Sequence, residues 1–272
     1  MHARRATSHP FAVLHHADTP LLLPNAWDRA SATAMARMGF RAIGTTSLAV
    51  AAGVGLPDGA SVTRDETLRL ALLLGSRPFL LSVDAEDGFS EDPDEVGEFA
   101  RQLAAVGAVG INLEDGLGPV DRHAAKIAAV KAAAPGLFVN ARTDTYWLGG
   151  QGARGERATR GRGETLSRLD AYRQAGADGV FVPGLTDARE IAALVARLDV
   201  PLNVLHSPTG PTVAQLGELG VSRVSLGSFL YRRAMGAALE ALGDIRAGRE
   251  PGGPTPTYEE LQEAGDGAAR RV

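Results

Sequence analysis

Short apolar runs recur along the chain, separated by longer segments whose apolar residues fall three or four apart. The runs are LLLP (21–24), RAIGTT (41–46), PFLLSV (78–83), VGINL (109–113), LFVNA (137–141), GVFVP (179–183), LNVL (202–205) and RVSLG (223–227). Each is too short for a helix, and its unbroken hydrophobicity suits a strand covered on both faces. The segments between them read as helices: 30–39, 92–107, 121–134, 163–176, 186–198 and 212–220. In 92–107, Asp92 suits a cap and Pro93 a first turn, while Val96, Phe99, Ala100 and Leu103 share one face. Several of these segments close on a glycine just before the next strand, as in AVGA, QAGAD and ELGVS.

Strands alternating with helices predict an α/β protein, a (β/α)8 TIM-type barrel over residues 1–246. The stretch RAGREPGGPTPT (246–257) breaks the alternation. YEELQEAG (258–265) then predicts an extra C-terminal helix, in a tail (247–272) expected to pack on a neighbouring subunit. The segment GGQGARGERATRGRG (149–163), with Arg154, Arg157, Arg160 and Arg162, reads as a loop.

Composition narrows the chemistry. The chain has 272 residues, a formal net charge of −4 and no cysteine. Thiolate metal sites, disulfides and a cysteine nucleophile are excluded, and the absence of cysteine fits a reducing cytoplasm. A slightly acidic chain lacks the basic excess that nucleic acid requires. No apolar run reaches the length of a membrane span. The two lysines, Lys126 and Lys131, lie within the segment 121–134 and are expected on its solvated face.

Active sites of such barrels lie at the C-terminal ends of the strands. There the sequence places Asn25, Trp27 and Asp28, then Thr45, Thr46 and Ser47, then Asp84, Glu86 and Asp87, then Glu114 and Asp115. Later ends supply Asn140, Arg142 and Asp144, then Asn203 and His206, then Ser225 and Ser228. Adjacent strands lie about 4.8 Å apart, so Asp84, Glu86 and Glu114 are expected to converge. Crowded carboxylates need a cation or raised pKa values. All-oxygen donors suit Mg²⁺ or Mn²⁺. Arg142 beside them suits a substrate carboxylate or an oxyanion, or else an ion pair with Asp144 or Glu114. Asp87 and Asp115 are expected to cap helices.

The motifs PNAWDRASATAMARMGFRAIGTTS, GLPDG, VDAEDGF, GINLEDG and NARTD follow one another over most of residues 20–240. In that order the chain resembles the isocitrate lyase and phosphoenolpyruvate mutase superfamily. The resemblance implies a Mg²⁺-dependent barrel that makes or breaks a bond next to the enolate of a 2-oxo acid. It also implies a homo-oligomer, a dimer or tetramer, whose last helix packs on a neighbouring barrel. By the same resemblance Asp84, Glu86 and Glu114 serve the metal, and Arg142, Asp58 and Glu114 serve catalysis. Thr46 and Ser47 hold the substrate carboxylate, and Trp27 and Asn203 complete the expected substrate contacts. The family's lyases carry a proton-donating cysteine after the fourth strand. Here GLGPVDRHAAKI stands in that place, leaving His123, expected at the surface, and His206 as candidate donors. The expected function is a carbon–carbon lyase or hydrolase of a small 2-hydroxy or 2-oxo acid. Phosphorus–carbon chemistry and a non-catalytic carboxylate-binding barrel are the alternatives.

Overall fold

The computed structural model describes residues 9–148 and 156–266. The chain begins with α1 (Pro10–Leu14), β1 (Leu21–Leu23), β2 (Asn25–Ala26), α2 (Arg29–Arg37), β3 (Ala42–Thr45), α3 (Ser47–Val54) and α4 (Arg64–Leu74). It continues through β4 (Leu80–Asp84), α5 (Pro93–Ala105), β5 (Ala108–Glu114), α6 (Val120–Ala133), β6 (Phe138–Arg142) and α7 (Glu156–Gln174). The last elements are β7 (Gly179–Val182), α8 (Ala188–Val195), β8 (Leu202–Leu205), α9 (Val213–Glu218), β9 (Arg223–Ser225), α10 (Phe229–Arg246) and α11 (Tyr258–Asp266).

All strand pairs are parallel, in the order β1-β9-β8-β7-β6-β5-β4-β3-β2. The two ends of that order, β1 and β2, flank Pro24. The expected first strand is thus one run broken by a residue without an N–H. Its first half pairs with β9 and its second with β3, so the sheet closes into the predicted barrel. Pro24 still accepts from Gly44 N at 2.8 Å.

Side chains that reach across the lumen identify the inward face. Arg223 on β9 donates to Asn112 on β5 at 3.2 Å, although three strands separate β9 from β5 in the sheet. Asn140 on β6 donates to the same Asn112 oxygen at 2.9 Å. With period two, inward positions place Ser82, Asn112, Asn140, Asn203 and Arg223 in the lumen, and every one is buried. Branched aliphatics usually fill such barrels; here a polar layer lies below the site. Beneath that layer, Phe11 of α1 packs with Leu23, Ala42 and Phe138 to plug the N-terminal mouth.

The outer shell follows the helical pattern. Val96, Phe99, Ala100 and Leu103 of α5 are buried against the strands, and Asp92 caps the helix by accepting from Asp94 N at 2.9 Å. The predicted loop 149–163 lies partly outside the described residues; from Glu156 onward the backbone is helical, in α7. Lys126, expected in solvent, is buried; its ammonium donates to Asp87 O at 3.0 Å. The tail helix α11 lies against α2 of its own chain, where Arg37 Nη1 donates to Glu260 O at 3.4 Å.

The end of α4 meets the turn before β5 through two glycines. Gly107 has φ +101°, and a Cβ there would stand 2.3 Å from the backbone oxygen of Gly75. Neither problem can be relieved by a side-chain rotation. Gly107→Ala is therefore expected to lower unfolding stability by about 3 kcal/mol, measured in urea. A variant as stable as the parent would contradict this packing.

Candidate active site

The stretch VDAEDG is shaped by its backbone. Asp84 ends β4, where its N–H donates to Thr45 Oγ1 at 2.9 Å. Its Oδ2 accepts from Ser47 N at 3.1 Å, at the first turn of α3, where the helix dipole favours a negative charge. Glu86 follows with φ +46°, a left-handed conformation that costs a non-glycine residue about 1 kcal/mol. Three contacts offset that cost. Glu86 O accepts from Glu114 N at 2.8 Å. Its carboxylate accepts from Ser61 N at 3.1 Å and from Thr63 Oγ1 at 2.5 Å. Thr63 is the N-cap residue of α4, but its hydroxyl bonds Glu86 instead of capping the helix.

On the next strands, Glu114 and Arg142 form an ion pair at 2.5 Å, and Arg142 Nε donates to Asp144 at 2.7 Å. The guanidinium also lies 5.9 Å from the centre of the Phe181 ring. Asp115 faces away from this pair and organises the loops. It accepts from Leu117 N, Asp144 N, Arg168 Nη1 and the Tyr172 hydroxyl. Asp87 similarly accepts from Ser61 Oγ at 2.7 Å and Phe89 N at 2.9 Å. The helix-capping role expected for Asp87 and Asp115 is thus corrected: both tie loops. Asp28 does cap α2, by accepting from Ser31 N at 2.7 Å.

A cleft of about 120 Å³ opens over the C-terminal ends of the strands. Its polar lining includes Asn25, Thr46, Ser47, Asp58, Asp84, Asn112, Arg142, Ser225 and Ser228. Leu48, Trp147, Phe181, Pro183 and Leu205 form its apolar lining. Of the expected site residues, the structure brings Thr46, Ser47, Asp58, Asp84 and Arg142 to the cleft. Glu86 and Glu114 stand behind it, held by Thr63 and Arg142.

Four expectations change. Among the described residues, no three acidic or imidazole groups surround a common point. Asp84, Glu86 and Glu114 stand near enough for Asp84 to raise the other two, but the left-handed turn and hydrogen bonds of Glu86 and the Arg142 pair of Glu114 engage two of them with other partners. Trp27 packs edge-on to Tyr231, at 5.6 Å, and does not line the cleft. Asn203 is buried in the lumen, donating to Ser225 Oγ at 2.9 Å. His123 is buried edge-on against Tyr172 rather than exposed, and His206 stands against Phe229; neither lines the cleft. Asn112, Trp147, Phe181 and Leu205 were missed as cleft residues. Asn112 lies two positions before Glu114, so strand alternation was the available signal.

Charge in the site is unbalanced. Burial pushes the Asp58 carboxyl up, against a hydrogen bond with Ser47, and Asp84 pushes it further. Glu86 is raised by burial and by Asp58 and Asp84, despite its bonds to Thr63 and Ser61. Burial raises Glu114 to about 8; Arg142 opposes this, while Asp84, Asp144 and Glu86 add to it. Burial raises Asp144 as well, against Arg142. A divalent cation fits this donor set. The oxygens are hard, the chain has no cysteine, no imidazole among the described residues lines the cleft, and Mg²⁺ retains several waters, so the acids need not all touch it.

The raised Glu114 has a consequence for stability. Its contribution is complete below the ordinary Glu value of about 4.3 and is lost as pH rises through about 8. The buried histidines work in the other direction. Burial lowers His15 to about 3 and His123 to about 4, so their contribution is lost as pH falls below about 6.5. The window from about pH 6.5 to 8.5 therefore reports on the raised carboxyls, Glu114 foremost, with Asp58, Glu86 and Asp144 acting in the same direction. Without divalent ions, Tm should fall by a few degrees across it, as followed by calorimetry. Glu114→Gln should make the fall shallower; an unchanged slope in that variant would show that Glu114 does not contribute to it.

Comparison with known proteins agrees with this architecture. The profile of the family described as "Phosphoenolpyruvate phosphomutase" matches residues 11–246. An uncharacterized protein of Mycobacterium tuberculosis is 43% identical over 256 residues, covering 93% of this chain and 94% of the relative. The 2-methylisocitrate lyase of Bacillus subtilis is 31% identical over 216 residues, covering 74% of this chain and 68% of that enzyme. A crystal structure from Burkholderia cenocepacia, provisionally named a phosphonomutase, superposes with a TM-score of 0.80. It is 36% identical and covers 86% of this chain and 96% of its own. A closed parallel barrel, acids at the ends of the third and fourth predicted strands, an arginine on the fifth and a family match across the barrel lead to one assignment: the chain belongs to the phosphoenolpyruvate mutase and isocitrate lyase superfamily.

Proposed function

We propose that the chain is a Mg²⁺-dependent enzyme that cleaves a carbon–carbon bond in a small 2-hydroxy or 2-oxo carboxylic acid. One observation carries the reading: Arg142, fixed by Glu114 and Asp144, forms part of the same small cleft as Asp84 and Asp58. The similarity to a 2-methylisocitrate lyase supports carbon–carbon chemistry. Asp84, with Glu86 and Glu114 behind it, would hold the cation, which supplies Lewis-acid polarisation of the substrate's oxygens. Thr46 and Ser47, at the N-terminal end of α3, would hold the substrate carboxylate.

For a 2-hydroxy acid, Asp58 takes the hydroxyl proton. The carbon–oxygen bond becomes a carbonyl, the carbon–carbon bond breaks, and its electron pair remains on the departing fragment as an enolate. Arg142 pairs with that charge. Protonation of the enolate completes the reaction, and no cysteine is available to do it. The Asp58 carboxyl, raised by burial and carrying the abstracted proton, is the group at hand in the described cleft. It would return the proton under a loop that excludes water.

The family profile also favours a second reading, cleavage or rearrangement at a phosphorus–carbon bond. A panel of 2-hydroxy and 2-oxo diacids plus phosphonopyruvate, assayed with Mg²⁺, separates the two. Glyoxylate or oxalate, or pyruvate formed from a diacid without phosphate, supports the first; phosphate or phosphoenolpyruvate formed from phosphonopyruvate supports the second. Binding without turnover of any panel member would contradict both and favour a carboxylate-binding barrel. On the true substrate, Arg142→Ala should slow turnover about a hundredfold, near 3 kcal/mol in the barrier. Unchanged turnover would remove Arg142 from the mechanism.

The same reading includes a homo-oligomer. No residue of α10 is buried, and Met235, Leu239, Leu242 and Ile245 are exposed with helical spacing. A second copy covering this stripe would bury apolar surface that otherwise faces water. Sedimentation should show a dimer or tetramer that Leu239→Glu with Leu242→Glu dissociates. A parent that sediments as a monomer would contradict it. No helix among the described residues is long and apolar enough to cross a membrane.

A further inference from the structure

Among the described residues Arg223 is the largest fully buried side chain, and the mechanism above does not use it. It lies in the lumen beneath the cleft. Its Nε donates to Ser225 Oγ at 3.2 Å and its Nη2 to Asn112 Oδ1 at 3.2 Å, while Nη1 has no partner. A buried guanidinium with an unpaired N–H costs stability, so packing alone is a poor reason for it.

Its chemistry constrains Asn112. A guanidinium only donates. The Asn112 group facing it must therefore be the amide oxygen, and Asn140 Nδ2 donates to that same oxygen at 2.9 Å. The oxygen is fully occupied from the lumen side. The amino group is left on the other side, and Asn112 lines the cleft together with Asp84 and Arg142.

We infer that Arg223 is a positioning residue of the active site: it locks the Asn112 carboxamide so that the amino group donates to an anionic oxygen of the substrate. The inference rests on the carboxylate-binding reading of the cleft. Asn112 is then a substrate contact that replaces the expected Asn203, whose own amide donates to Ser225 inside the lumen. Arg223 also keeps a positive charge below Asp84; burial lowers it to about 9, and Asp84 opposes that shift, so it remains protonated at neutral pH. A neutral residue at 223 would free Asn112 to rotate.

The test uses the full chain with Mg²⁺ and oxalate as the probe. Arg223→Met should keep or raise Tm, because it removes an unpaired buried donor. It should also weaken oxalate binding, measured by calorimetry, about tenfold. Arg223→Lys, which can still donate to Asn112, should recover part of that loss. Asn112→Leu should weaken binding to a similar degree, and the double variant should be no weaker than the poorer single one. A crystal structure of Arg223→Met should show Asn112 in a changed rotamer. Asn112 in its parental rotamer, or additive losses in the double variant, would overturn the inference. If the parent itself fails to bind oxalate with Mg²⁺, the carboxylate reading of the cleft fails, and the rotamer of Asn112 still decides the role of Arg223.

Discussion

The carboxylates Asp58, Asp84, Glu86, Glu114 and Asp144 act on one another electrostatically at the mouth of the barrel, where the guanidinium of Arg142 pairs with two of them, Glu114 and Asp144. At the effective dielectric of a protein, like charges 4 Å apart repel by about 4 kcal/mol. One arginine cannot neutralise all of them. The chain offsets part of the repulsion locally. Asp84 takes the Ser47 N–H at a helix start, Glu86 takes Ser61 and Thr63, and Glu114 and Asp144 share Arg142. What remains appears as carboxyls held above their ordinary range. That residue of negative charge is the reason to expect a cation there, and the proposed enolate chemistry would depend on it.

The same constraint explains the shape around the site. Glu86 sits in a left-handed conformation that only its hydrogen bonds make tolerable, and Ser61 opposite it also has a positive φ, +56°. Strained residues on two facing loops, tied to each other through Glu86 and Asp87, hold the loop that carries Asp58 near the cleft. Deeper, Asp115 collects Arg168 and Tyr172, and Lys126 reaches Asp87 O from α6. The outer helices thus brace the loops as well as cover the sheet.

Much of this was legible in the chain itself. Eight apolar runs separated by amphipathic segments specify a closed parallel sheet, because only burial on both faces suits them. The cap at Asp92 and the glycine-terminated helices are local features, and they fold as read. The placement of Asp84 and Arg142 at the cleft was legible because they stand at strand ends. What escaped was non-local or ambiguous. α3, SLAVAAGV, is apolar on every side, so no periodicity marks it. Pro24 divides the first strand, although its residues pair as a continuous closure. Lys126 and His123 look solvated in a helix of alanines, and only the bracing of Asp87 and the packing on Tyr172 bury them. Arg223 reads as an ordinary strand-flanking charge until the barrel closes and brings it to Asn112.

On this reading the acidic rim holds one divalent ion. Titration of Mn²⁺ into the protein, with free ion followed by electron paramagnetic resonance, tests it directly. A single site per chain is expected, lost in Asp84→Asn and competed by Mg²⁺. Mn²⁺ that stays free at protein concentrations well above those of the ion, or binds equally well to Asp84→Asn, would contradict it.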